Sequence, residues 1–174
     1  MNKRLFGQQT LLAQKNFPFS INKVRSELIY AICEIKRAAA AASSSAGELD
    51  DDVARAIVGS CKEILAGNYD DQFVTLALQG GAGTSINMNV NEVIASLATE
   101  FLSKKGIRKR VHPNDDVNRS QSTNDVNPSA LKLVCRKLGS GLLRRIDGSV
   151  KAFYTLEKRY SMTPKLARTH LQDA

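Results

Sequence analysis

The sequence predicts an all-α protein with at most a short β-like segment, and three observations carry that prediction. Apolar residues recur at intervals of three and four through four separate stretches. Hydroxyl, acidic and glycine residues punctuate the ends of those stretches, and only Phe73 to Leu78 reads as β-like.

A first helix is expected over Ile21 to Ala42, where Val24, Leu28, Ala31, Ile32 and Ile35 share a face ahead of an alanine run of high helix propensity. Ser43-Ser44-Ser45 and Gly47 end it. Asp50, Asp51 and Asp52 suit the positive end of a second helix, which carries Val53, Ile57, Cys61 and Ile64 and closes at Gly67. After the β-like run, Gly80, Gly81 and Gly83 permit a tight, exposed backbone path. A third helix runs through Val90, Val93, Ile94, Leu97, Ala98, Phe101 and Leu102, and ends in Lys104, Lys105 and Gly106.

Beyond a polar loop from Val111 to Asn127, Pro128 suits a first helical position. Leu131, Val134, Cys135, Leu138, Leu142, Ile146, Val150 and Phe153 then keep helical phase to about Tyr160. Gly139, Gly141 and Gly148 each cost roughly 1 kcal/mol inside a helix, so a break at Gly139-Ser140-Gly141 competes with this reading. The unbroken phase favours one helix. About 33 residues at ~1.5 Å each make roughly 50 Å, against a radius of gyration near ~16 Å for a compact globule of this size. Such a helix needs partners of similar length, and this chain predicts no second one. The tail from Met162 to Ala174 is polar and carries no terminating signal, as if the chain were a fragment.

Twenty-five Lys and Arg against 17 Asp and Glu leave a net charge of +8, and 43% hydrophobic with 24% charged residues is the composition of a folded chain. No apolar run approaches the roughly 18–20 residues of a membrane span, and Met1 to Thr10 lacks the apolar core of a secretory signal. A cytoplasmic location without membrane partners is the expectation. Cys33, Cys61 and Cys135 are odd in number and widely spaced, which argues against a disulfide framework or a zinc knuckle and predicts buried or inert thiols. The basic run Lys104, Lys105, Arg108, Lys109 and Arg110 lacks interleaved aromatics, and Asp115 and Asp116 follow it. A solvated helix end fits it better than a nucleic-acid site.

Three segments are dense in small hydroxyl and amide residues: Gly80 to Glu92, His112 to Asn127, and Ala167 to Asp173. One reading makes them caps, with Ser85 or Asn87 starting the third helix and Ser122, Thr123 or Asn127 starting the long one. The other makes them an anion site, because helix starts and exposed glycine-loop amides carry partial positive charge and the side chains add directed donors. The glycine loop lacks the lysine of a phosphate-binding P-loop and the preceding strand of a dinucleotide fold. His112 and His170 have no second ligand at metal spacing, so no metal is expected. Both lie in polar segments, off any apolar stripe.

QGGAGTSINMNVNEVIA (Gln79 to Ala95), HPNDDVNRSQSTNDVNP (His112 to Pro128) and RTHLQDA (Arg168 to Ala174), in this order, resemble the aspartate ammonia-lyase and class II fumarase superfamily. The similarity runs from about Phe6 through Asn16-Phe17-Pro18 to the last residue. Gly81-Ala82-Gly83-Thr84-Ser85 and Thr169-His170-Leu171-Gln172 are more similar to aspartases; fumarases typically show Ser in place of Ala82 and Thr in place of Leu171.

The resemblance implies an N-terminal helical domain over 1–127 and the start of a central helix-bundle domain over 128–174, from a homotetramer whose sites draw on three chains. It implies a cofactor-free elimination of ammonia from L-aspartate to give fumarate. A base takes a Cβ proton, the adjacent carboxylate becomes a dianion, and ammonia leaves; preorganised donors lower the barrier. Thr84, Ser122, Thr123, Asn124 and Thr169 would hold the substrate carboxylates, and His170 would orient the substrate or assist proton movement. His112, Asn114 and Asp115 match a second anion site.

The departures are equally specific. Nothing here matches the family's general-base serine loop, so the chain by itself is expected to be inactive. Leu12 stands where an arginine is usual, Asn127 where an aromatic is usual, and Ala167 where a glycine is usual, which predicts strain before Thr169. Class II fumarase and a non-catalytic docking subunit of a split enzyme are the alternative readings.

Overall fold

The computed structural model describes residues 3–18 and 22–173. Five α-helices account for most of them: α1 (Gln8–Asn16), α2 (Ser26–Ser45), α3 (Asp51–Leu65), α4 (Thr84–Lys104) and α5 (Thr123–Tyr160). Single helical turns at Asp70–Gln72, Gly81–Gly83 and Pro113–Val117 link them, and a two-stranded antiparallel ribbon, β1 (Arg168–Thr169) with β2 (Gln172–Asp173), follows α5. The all-α prediction holds. The β-like run reduces to one antiparallel bridge between Lys23 and Leu76, flanked by hydrogen bonds from Val24 N–H to Thr75 O and from Ala77 N–H to Asn22 O.

The chain forms two compact units, Met1–Val134 and Cys135–Ala174. In the first, α2, α3 and α4 pack together around Ile29, Ile32, Ile57, Ile64, Val90, Val93, Ile94 and Leu102. Local chemistry sets the ends of these helices. Asp50 caps α3 by accepting from the amides of Asp52 (3.0 Å) and Val53 (3.2 Å), and Gly67 turns the chain away with φ +85°. Gly106 (φ +77°) closes α4 as its lysines and glycine predict. Helix α2 begins at Ser26 and continues through the serine triplet; Ile21, where it was expected to begin, lies outside the described residues.

Two expectations are corrected, and one helix was not expected. Helix α4 starts at Thr84, so Ser85 and Asn87 are not its caps; left-handed Gly83 precedes it with no side-chain cap. Pro128 sits inside α5 and not at its first position, because Ser122 starts that helix by accepting from the Asn124 amide at 3.2 Å. Helix α1 had no sequence signal of its own. Its apolar pattern is weak, and its start is satisfied from far along the chain: the Glu92 carboxylate accepts from the amides of Gly7 (2.8 Å), Gln9 (2.9 Å) and Thr10 (3.2 Å) and from the Thr10 hydroxyl (2.6 Å). A Cβ on Gly7 would press into that carboxylate.

The second unit holds most of α5 and the ribbon. The helix passes through Gly139-Ser140-Gly141 without a break, as its phase predicts. Its apolar stripe is open: Leu138, Leu142, Ile146, Val150 and Phe153 are all exposed. Cys33 and Cys61 are buried, and burial pushes the Cys33 thiol well up and the Cys61 thiol to about 12. Cys135 is exposed on α5.

Candidate functional site

Two of the three polar segments meet within the first unit. The Gly80–Gly83 loop places Thr84 at the start of α4, where its hydroxyl donates to Gly81 O at 2.7 Å. No acidic side chain occupies the first turn of α4, which leaves its positive end unneutralised. Gln79 Oε1 accepts from the Ile86 amide at 3.2 Å.

The start of α5 is tied to that loop at two points. Asn87 Nδ2 donates to Thr123 Oγ1 at 3.3 Å, and Asn127 Nδ2 donates to Ala82 O at 3.0 Å. Ala82 has a left-handed backbone (φ +53°), and Gly83 follows at φ +83°. A Cβ on Gly83 would collide with Asn127 Nδ2, so this crossing requires a glycine. Asn127, the departure from the usual aromatic, therefore does local structural work by accepting the loop's close approach. Thr84 and Asn124 are exposed and Thr123 is half-buried. Ala82, Gly83, Asn124 and Asn127 line a cavity of about 390 Å3 that Leu28, Ile86 and Leu131 complete with apolar surface.

His112 caps the Pro113–Val117 turn: its Nδ1 lies 3.2 Å from the Asp115 amide nitrogen, which donates to it, and 3.0 Å from Asp115 Oδ2. Asp116 Oδ2 accepts from the His112 amide at 2.7 Å. His112 lines a cleft of about 470 Å3 with Lys3, Arg4, Gln8, Glu92 and Arg110. Asn114 and Asp115 are exposed on the same turn. In the basic run, Lys109 pairs with Asp50 at 2.7 Å, and this hydrogen bond holds the Asp50 carboxyl below its ordinary value.

Thr169 and His170 belong to the second unit, on the ribbon. Both are exposed, and His170 has a left-handed backbone at φ +51°. The strain expected at Ala167 is absent there; among non-glycine described residues it falls on Ala82, Ser120 and His170. The register Arg168↔Asp173 and Thr169↔Gln172 leaves only His170 and Leu171 to turn the chain, which forces the left-handed conformation onto the turn itself.

Sequence reasoning missed a buried polar group beneath the first site. Lys36 Nζ donates to Asn118 Oδ1 at 2.6 Å, and Asn87 and Asn91 donate to the same oxygen at 3.0 and 3.3 Å. Burial drives the Lys36 amine down to about 7. The i, i+4 spacing of Asn87 and Asn91 put both amides on one face of α4 and was the available signal. Lys36, beside the alanine run, has no such signal in the sequence.

These features define a helical protein that collects hydroxyl and amide donors at two helix starts, an arrangement suited to a carboxylate-bearing ligand. Residues 2–174 match the profile of the family described as Lyase, and the chain belongs to that family. Among curated proteins it is 41% identical over 172 residues to a class II fumarate hydratase of Halalkalibacterium halodurans, covering 98% of this chain and 37% of the relative. It is 43% identical over 170 residues to an aspartate ammonia-lyase of Bacillus subtilis, covering 97% and 36%. Among solved structures it is similar to a fumarate lyase:delta crystallin from Brucella melitensis (TM-score 0.86, 40% identity, 98% of this chain and 40% of that one). It is also similar to a class II fumarase from Schistosoma mansoni (TM-score 0.88, 31% identity, 100% and 37%). The chain thus spans a little over a third of the curated relatives it matches.

Proposed function

We propose that this chain is the N-terminal part of an aspartate ammonia-lyase, which reversibly eliminates ammonia from L-aspartate to give fumarate. The carrying observation is the pair of donor-rich helix starts joined through Asn87–Thr123 and Asn127–Ala82, which gathers Thr84, Ser122, Thr123 and Asn124 in one unit. These four side chains hold the substrate carboxylates together with Thr169 of another copy of the chain, and His170 of that copy orients the substrate or assists proton movement. His112, Asn114 and Asp115 form a second anion site.

Removal of a Cβ proton leaves a dianionic carboxylate. Donors fixed before the reaction stabilise that charge without reorganising, so the chemistry of the site asks for hydroxyls, amides and helix ends. The Ala82 and Leu171 positions favour aspartate over malate. Residues 1–127 are the N-terminal domain of the whole protein and 128–174 open its central bundle; the bare stripe of α5 supports assembly into a homotetramer. Operation in the cytoplasm is part of the same reading.

The test supplies the rest of a family member as a second chain and assays L-aspartate and L-malate by the absorbance of fumarate. Turnover of L-aspartate by the mixture, with none by the 174-residue chain alone, is the expected result. Fumarate formed by the isolated chain overturns the claim that it needs a partner. Turnover of L-malate alone selects the second reading, class II fumarase, which the fumarate hydratase relatives at similar identity favour. A monodisperse monomer in light scattering counts against the tetramer.

A further inference from the structure

Lys36 lies on α2 beside Ile32, Cys33 and Ala40 with no exposed surface. A buried amine paired with no carboxylate among the described residues costs free energy that an aliphatic side chain of similar size would not, so its presence asks for a reason. Its contact supplies one. The Asn118 oxygen that accepts from Lys36 also accepts from Asn87 and Asn91, which makes it the meeting point of donors from α2 and α4. Each of those two asparagines keeps a buried amide oxygen without a partner, so their amides are committed to Asn118 at a cost.

With its oxygen held from below, Asn118 turns its Nδ2 to Gln121 O at 2.9 Å. Gln121 in turn donates to Val117 O (3.0 Å) and Arg119 O (3.2 Å). These bonds close a turn in which Ser120 is left-handed (φ +56°) and which leads directly into Ser122 and Thr123. Asn87, sharing the Asn118 oxygen, also reaches Thr123 Oγ1. A continuous path of hydrogen bonds therefore runs from Lys36 to the Thr123 hydroxyl, and a second branch ends at the Gln121 carbonyl, one residue before Ser122.

We propose that Lys36 is a positioning residue: acting through Asn118 and Asn87, it fixes the turn that presents Ser122 and Thr123 to a substrate carboxylate. What the two hydroxyls hold rests on the functional reading above; the positioning belongs to this chain alone. An amine does this where a methionine cannot, because a strong donor orients the Asn118 amide in one sense and stops it from flipping. The titratable groups acting on the amine are Cys33 of α2 and Cys61 of α3, both kept protonated by burial, with Glu34 and Arg37 acting in turn on Cys61. From α4 and the turn, the groups that meet at this oxygen are the neutral amides of Asn87, Asn91 and Asn118.

The experiment is an NMR titration of the 174-residue chain from about pH 5 to about pH 10, following Lys36 Nζ, the Asn118 side-chain amide and the Thr123 backbone amide. A step shared by all three at one midpoint is expected. Any other behaviour of Asn118 and Thr123, including no response, overturns the proposal. K36M is expected to abolish the step and speed exchange of the Thr123 amide by about ten-fold; K36R, always charged, is expected to abolish the step while retaining protection, a combination that a space-filling role would not produce. If K36M does not fold, the wild-type titration decides. A shared step, in a chain whose assembly turns over neither L-aspartate nor L-malate, keeps the positioning and discards the functional reading. An active assembly without the shared step does the reverse.

Discussion

Helices α4 and α5 both repeat apolar residues at helical spacing, yet the chain treats them in opposite ways. Twelve of the 21 residues of α4 are buried, including Asn87, Asn89, Asn91 and Glu92; of the 38 residues of α5, Val126 and Ala130 alone are. A stripe at 3.6-residue spacing identifies a face that gains by burial, but it does not say which chain covers it. In α4 the cover is α3, the Pro113–Val117 turn, α1 and α2, and the packing is close enough to take polar side chains inside. In α5 the stripe stays open, with Phe153 72% exposed.

The contrast can be broken first by cavity formation. Ile94→Ala in α4 is expected to lower the unfolding free energy by about 2–4 kcal/mol in chemical denaturation. Glu92→Gln comes next, at about 1–3 kcal/mol, because an amide cannot accept from every donor that Gly7, Gln9 and Thr10 direct at the carboxylate. Limited proteolysis should then cut within α1 while α2 to α4 stay protected.

The third effect is on pH dependence. Lys36 falls from an ordinary 10.5 to about 7 in the folded chain, so between these values the unfolded chain binds the additional proton. Stability therefore rises with pH above about 7, by at most about 1.4 kcal/mol per unit from this group. Above about 9 the trend reverses, because the Cys33 and Cys61 thiols are raised in the folded chain and the unfolded chain releases their protons first. Thermal melts of the chain and of K36M across this range should show the rising limb in the former only. The smallest effect is expected for Ile146→Ala on the open stripe, within about 0.5 kcal/mol. A loss equal to that of Ile94→Ala would show that the stripe is covered in solution.

The elements whose signals are local were legible in the sequence. Asp50 before α3, Gly67 and Gly106 after α3 and α4, and the unbroken phase of α5 each act within a turn of the residue that carries them. Helix α1 was not legible, because the group that completes its start is Glu92, 82 residues or more away. Of the site, the residue types and order were legible and led to the family. The joining of Asn87 to Thr123 and the depth of Lys36 were not, since neither follows from spacing along one element. Asn127 is the sharpest case: against the family pattern it is a departure, and only the crossing at Ala82 O shows what it does.

By itself the sequence determined the helical periods, the Asp50 cap and glycine end of α3, the glycine end of α4 and the three polar segments, because propensity, capping and backbone freedom act over a few residues. Tertiary structure decided which faces are buried, which amides share the Asn118 oxygen, and that a lysine lies beneath the start of α5. Those outcomes depend on residues far apart in the chain competing for one dry, close-packed space, and no local pattern encodes that competition.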